Sequence, residues 1–282
     1  MNRAVRHESF LAWRNFRHLK WASVLSILSV GLYLGFDFPA GHNGGTWLGY
    51  TLGTIGALLI VWLMWFGIRK RRYGPGNWSL KGWLSAHVYL GLSLVIVGTL
   101  HTGFQLGWNI HGLAYILMLI VIVSGAIGLL VYVRVPQLMT ENRRSQSLDE
   151  MARAIVEIDG EAAKAALQLS DEFAELVRMS QNGTHIGGSF RRIITARDSG
   201  CGTARAIARA REISRNLPPV EAQKASELAR ILGGKLEIVQ RARRDLRLKA
   251  LLDLWLYIHV PVTIALVITL IAHIIAVYFY WG

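Results

Sequence analysis

Two apolar stretches of this chain each carry two histidines at the same interval: His87 and His101 in one, His259 and His273 in the other, fourteen residues apart in both cases. Inside a bilayer an extended backbone finds no water to bond to, whereas a helix satisfies its polar groups within the segment, so each stretch is expected as a membrane-crossing α-helix. Fourteen steps of about 100° end roughly 40° short of four full turns, and supercoiling to ~3.5 residues per turn removes the mismatch. Each pair therefore shares one helix face, its members separated by roughly 21 Å of axial rise. That separation puts one histidine near each membrane surface and excludes a single tetrahedral metal site made from all four.

The rest of the chain fits a membrane protein: 282 residues, 52% hydrophobic, ten tryptophans and a mean hydropathy of +0.34. Five stretches are long enough to cross, residues 21–38, 47–68, 83–104, 110–133 and 254–281. Trp21, Trp47, Trp83, Trp108, Trp255 and Trp281 cluster at their ends, where amphipathic rings favour the headgroup layer. The first stretch follows a basic segment as a signal peptide would, but its apolar run is longer than such peptides carry and no small-x-small cleavage pattern follows. It reads as a true span. The segment before it, residues 1–20, has Phe10, Trp13 and Phe16 among Arg3, Arg6, Arg14, Arg17 and Lys20, and reads either as a surface-lying amphipathic helix or as a solvated basic tail.

Positive residues gather before the first span, at Arg69-Lys70-Arg71-Arg72 with Lys81, and after the fourth span, while loops 39–46 and 105–109 have none. Short loops rich in Lys and Arg stay cytoplasmic, so the N-terminus is expected inside and the C-terminus outside an inner membrane of bacterial type. The formal net charge of +13 then follows from topology, and nothing in the chain asks for a nucleic-acid partner. Cys201 is the single cysteine, which excludes a C-x-x-C-H haem attachment and an iron–sulfur cluster held only by cysteines of this chain.

Alternating crossings make the third and fifth spans parallel, which pairs His87 with His259 near the cytoplasmic face and His101 with His273 near the outer face. An imidazole from each side is a common axial arrangement for haem iron, so two noncovalent haems b are expected, one per pair. A lone intramembrane histidine also serves as a hydrogen bond between helices; the repeated interval favours ligation. Gly53 and Gly67 repeat the fourteen-residue spacing in span two, as do Gly112 and Ala126 in span four, where Gly125 and Gly128 stand beside Ala126. These small residues offer room for a porphyrin edge or for ordinary close helix packing. Arg69, Arg71, Arg72 and Arg134 are candidate partners for haem propionates.

A glycine-bearing span, a His-x13-His span, another small-residue span and a second His-x13-His span resemble the di-haem four-helix core of membrane cytochromes b, as in quinol:cytochrome c reductases. Ferric-reductase-like proteins and the cytochrome b subunits of membrane hydrogenases and formate dehydrogenases are similar at the histidines. The resemblance covers residues 47–134 and 252–281. It implies an all-α integral membrane protein whose five transmembrane helices include a four-helix di-haem core, with electrons passing between a quinone pool and a partner redox subunit: an iron–sulfur, flavin or cytochrome c protein. The first span, the long segment between spans four and five and the lack of a Pro-Glu-Trp-Tyr quinone motif depart from the reductase pattern. His111, in the outer turn with Trp108 and Asn109, is the candidate proton-handling residue of an outer quinone site, or else a helix cap. Two other readings are a ferric-reductase-type enzyme fed by a separate flavoprotein, and an anchor or transporter without redox chemistry.

Residues 135–250 read as a helical cytoplasmic insertion, with apolar residues at helical spacing over 148–180 and 219–252, before the last span at 251–282. Pro218-Pro219 opens a helix expected to run into span five. The glycines of 182–192 and 199–203 match no dinucleotide or P-loop pattern, and His185 and Cys201 read by default as a loop histidine and an incidental thiol. Docking of a partner subunit is the expected use of this segment.

Overall fold

The structure, a computed structural model, describes residues 10–39, 41–71, 79–144, 146–195 and 200–280, with only the backbone at 68–71, 192 and 280. Among the described residues no strand forms. The helices are α1 (Trp13–Gly35), α2 (Trp47–Arg71), α3 (Leu80–Thr102), α4 (Ile110–Arg143), α5 (Leu148–Ala166), α6 (Asp171–Asn182), α7 (Phe190–Thr195), α8 (Gly202–Ser214) and α9 (Pro219–Tyr280). The chain divides into two compact units, Met1–Leu129 with Leu256–Gly282, and Leu130–Trp255.

Among the described residues four helices are long and apolar enough to cross a membrane: α2 over Trp47–Gly67, α3, α4 and α9. The first helix, expected as one of five crossings, is not among these four. Its apolar part, residues 21–35, rises about 22 Å at ~1.5 Å per residue, against a hydrocarbon core of roughly 30 Å.

In the first unit Ile60 and Leu63 of α2, Leu94 of α3, Met118 of α4 and Leu266 of α9 form one buried cluster, and Leu48, Leu52 and Val97 form another. Small residues allow the close approaches. A Cβ on Gly98 would lie 2.7 Å from the Met118 terminal methyl, and one on Gly82 would lie 2.8 Å from the Trp13 ring. Such contacts carry helix association in lipid, where burying apolar surface against apolar surface offers little. The outward faces remain apolar: Ile27 is 69% exposed and Ile268 64%. Ser79 starts α3 by accepting a hydrogen bond from the Gly82 N–H at 3.1 Å.

Where it is described, the basic entry segment packs on α3. Trp13 packs at Gly82, and the Tyr89 hydroxyl donates to the Leu11 carbonyl at 3.1 Å, tying the start of α1 to α3. Arg14, Asn15 and Phe16 take left-handed backbone angles, φ 46°, 56° and 57°, which cost L-residues about 1–2 kcal/mol each. Residues 1–9 lie outside the described residues.

The second unit is built on water-soluble rules. Phe173, Leu176, Val177, Ala206, Ile207, Leu228 and Leu232 from α6, α8 and α9 share one core. Burying each of the larger side chains contributes about 1.5–3 kcal/mol. Helix α4 passes through Pro136 without ending and closes at Arg143, whose guanidinium grips Asp245 through two hydrogen bonds of 2.7 and 2.8 Å. The polar turn of the chain therefore comes later than the sequence break at Val135-Pro136. Ser147 and Glu150 form a reciprocal capping box at the start of α5.

Candidate functional site

The four intramembrane histidines lie on α3 and α9, and each is held by the protein through the same ring nitrogen. His87 Nδ1 lies 3.2 Å from the Leu63 carbonyl oxygen and His101 Nδ1 2.8 Å from that of Gly49, both on α2. His259 Nδ1 lies 2.8 Å from Ser124 Oγ, and His273 Nδ1 lies 2.6 Å from His111 Nδ1, both partners on α4. The carbonyls can only accept, so His87 and His101 carry their proton on Nδ1. That tautomer leaves Nε2 as the electron-pair donor, the state in which an imidazole binds a metal.

The histidines also meet in twos. The rings of His101 and His273 have centres 6.0 Å apart with planes at 81°. Leu94 and Leu266, seven residues before them, share one buried cluster, so the two helices run parallel and His87 stands level with His259. Within each helix the axial rise keeps the two layers apart, so the arrangement is two pairs at two depths. Among the described residues no group of three or more His, Cys, Asp or Glu side chains converges into a metal-ion site.

Glycines shape both layers, though differently from the expectation of open room for a large group. At Gly53 the space is filled by the His101 imidazole itself: a Cβ there would stand 2.6 Å from His101 Cε1. Gly44, in the loop before α2, also faces that ring at 3.5 Å. Gly125 lies against His259 Cε1 at the same distance, whereas a Cβ on Gly67 would meet nothing within 4 Å. Gly112 makes its close approach to the Gly107 carbonyl, inside a turn rather than beside a histidine.

His111 is not the cap of α4. That role falls to Asn109, whose Oδ1 accepts from the backbone N–H of His111 at 3.1 Å and of Gly112 at 3.0 Å. The His111 ring instead reaches His273, with ring centres 4.5 Å apart. Of the cations proposed for propionates, Arg134 is exposed and belongs to the second unit. The side chains of Arg69 and Arg71, and all of Arg72, lie outside the described residues.

Sequence reasoning missed the partners that orient the rings: the Leu63 and Gly49 carbonyls and Ser124. A signal existed for one of them. Gly49 and Gly53 form a small-xxx-small pair on α2, the pattern that lets a neighbouring helix bring its side chains onto the backbone. Phe66, 5.1 Å from the His87 ring, and the loop residue His42, stacked 4.0 Å from Tyr33, also escaped notice.

In the second unit Gly183 and Gly202 of the glycine-rich loops pack against each other. The Gly202 N–H donates to the Gly183 carbonyl at 2.9 Å, and a Cβ on Gly183 would lie 3.1 Å from the Gly202 Cα. His185 is exposed, and its carbonyl accepts from Arg243. Cys201 is buried as a free thiol. No protein-family model, no curated protein and no solved structure matches this chain.

Proposed function

We propose that this chain is a di-haem cytochrome b subunit that carries electrons across a membrane between a quinone pool and a partner redox protein. The observation that carries the reading is the common anchoring of the four histidines through Nδ1 in two pairs at two depths. Two imidazoles that share one metal ion at bonds of about 2 Å, with about 1 Å more from ring nitrogen to ring centre, can have their centres at most roughly 6 Å apart. His101 and His273, whose ring centres stand 6.0 Å apart, would hold one haem iron. His87 and His259 would hold the second.

Bound there, a haem supplies a one-electron carrier whose potential follows its axial ligands and surroundings. The chain's own residues do the rest. The Leu63 and Gly49 carbonyls fix the tautomer and the ring direction of His87 and His101, and Ser124 and His111 orient His259 and His273. Gly53 lets the His101 ring sit against α2, and the buried cluster of Ile60, Leu63, Leu94, Met118 and Leu266 excludes water from the interior. His111 has an exchangeable proton beside the outer pair, the chemistry a quinone site needs at its rim. The first helix would act as a fifth crossing, with Ile27, Leu28 and Leu34 turned to lipid. By the charge pattern the N-terminus would lie inside and the C-terminus outside. The second unit would dock the redox partner.

The test is spectroscopic. The purified chain should bind two haems b, and its reduced-minus-oxidised spectrum should show low-spin α-bands. Substituting His87 or His259 by Ala should remove one haem, and substituting His101 or His273 the other. No α-band, or one haem per chain, would overturn the reading. Quinol oxidation by the intact complex, measured against reduction of an external ferric acceptor, separates a quinone-linked subunit from a ferric reductase.

A further inference from the structure

Where α1 enters the first unit it leaves a cavity of about 640 Å3 against α2 and α3. Its walls include Trp13, Arg14, Arg17, His18 and Trp21 of α1 and Trp62 of α2, with Ser79, Ala86 and Leu90 completing the lining. The volume is that of an ordinary small-molecule site. Ser79 caps the start of α3, and Trp62 lies near the end of the apolar stretch of α2 that closes at Gly67, so the cavity begins at the ends of these stretches and reaches along α3 to Leu90.

Three observations point to its occupant. Among the described residues no carboxylate pairs with Arg14 or Arg17, so two guanidiniums stand uncompensated at the wall. His18 is 8% exposed and stacks flat on Trp13 with ring centres 4.9 Å apart, yet its Nδ1 has no hydrogen-bond partner. Nδ1 is itself closed to solvent, so of the two ring nitrogens only Nε2 is left for a ligand. Burial, reinforced by the charge of Arg17, holds the His18 pKa below its usual value, so the ring stays neutral and keeps one nitrogen as donor and one as acceptor. Finally, Trp13, Trp21 and Trp62 with Leu90 supply apolar walls of the kind that take a glycerol backbone and the start of an acyl chain.

We infer that this cavity binds the phosphate headgroup of an anionic phospholipid, with Arg14 and Arg17 on the phosphate, His18 on a headgroup oxygen and the tryptophans around the glycerol. Basic pockets between membrane helices bind such lipids by this combination of charge and shape. The bound lipid would also brace the left-handed stretch 14–16, which lies at the cavity wall. The site shares no residue with the histidine pairs, so its test does not depend on haem.

The probe is dioleoyl phosphatidylglycerol, offered to the detergent-purified full chain in competition with dioleoyl phosphatidylcholine and read by native mass spectrometry. The wild type should retain one phosphatidylglycerol per chain, at least roughly tenfold in preference to phosphatidylcholine. Arg14→Gln/Arg17→Gln should weaken retention roughly thirtyfold, at about fivefold per cation near an anionic headgroup. Arg205→Ala/Arg244→Ala, an equal loss of charge at exposed positions elsewhere, should leave it unchanged. Equal retention of the two lipids by the wild type overturns the proposal without needing any variant. So does displacement of the lipid by millimolar inorganic phosphate, which would mark a free-phosphate site, or copurification of a quinone in its place.

Discussion

The two units solve the problem of buried polar groups in opposite ways. In the first, the half-buried polar side chains of the crossing helices include imidazoles tied to backbone carbonyls and a hydroxyl, while large apolar side chains such as Ile27 and Ile268 face outward. In the second, the apolar side chains turn inward around Phe173 and Leu232, and the group that goes in with them is a full charge. Lys235 is 1% exposed; its ammonium donates to Asp159 at 2.6 Å and to the Ser180 carbonyl and hydroxyl at 3.1 Å each. From Ser180 the hydrogen bonds continue to Thr203 and Thr184. A neutral imidazole can enter an apolar interior with one hydrogen bond, whereas an ammonium needs a counter-ion and further acceptors. The first unit therefore keeps groups that can bind and change state, and the second spends its buried charge on holding helices in register.

The most disruptive way to separate the two is to delete residues 182–217. That removes α8 with Ala206, Ile207 and Ala210 from the core and exposes Phe173 and Leu176. A unit of this size is stable by only about 5–15 kcal/mol, so it should unfold, seen as rapid proteolysis within the second unit, while both haem bands persist in the membrane fraction. Loss of haem from that variant would mean that the histidine pairs depend on the second unit for their integrity. Lys235→Met is milder: it leaves Asp159 without its counter-ion and should cost about 3–5 kcal/mol in denaturant unfolding, with no change in the haem spectrum.

The first unit should show the reverse pattern. On the di-haem proposal, Gly53→Val should push the His101 ring away and lower haem content by about half, whereas Gly67→Val, with open space around it, should match the wild type. Equal haem content in the two variants would refute the role given to Gly53. The smallest effect is expected at Ser124→Ala, which deletes one hydrogen bond to His259 worth about 1 kcal/mol. It should shift the midpoint potential of the cytoplasmic-side haem without loss of haem, and no shift would mean that Ser124 does not orient the ligand.

Most of the architecture was legible in the sequence because it rests on local quantities. Hydropathy over about twenty residues is enough to read four crossing helices, and helical periodicity puts each histidine pair on one face. The same local reading carries the apolar run at α1 to residue 38, whereas the helix ends at Gly35. Its chain leaves the helix at Phe36, which takes an extended conformation, and hydropathy does not register such an exit.

Only the tertiary structure decided what each ring touches. The partners of His87, His101, His259 and His273 stand 24, 52, 135 and 162 residues away along the chain, so no window of sequence contains both ends of any of these bonds. The same holds for the occupation of Gly53 by an imidazole, for the Lys235–Asp159 pair across 76 residues, and for the wall of tryptophans and arginines brought together by α1 and α2. Propensity and hydropathy are sums over neighbours in sequence and so determine segments. Which nitrogen is tied, and which is left unsatisfied, depends on contacts that arise only when helices distant in sequence pack side by side.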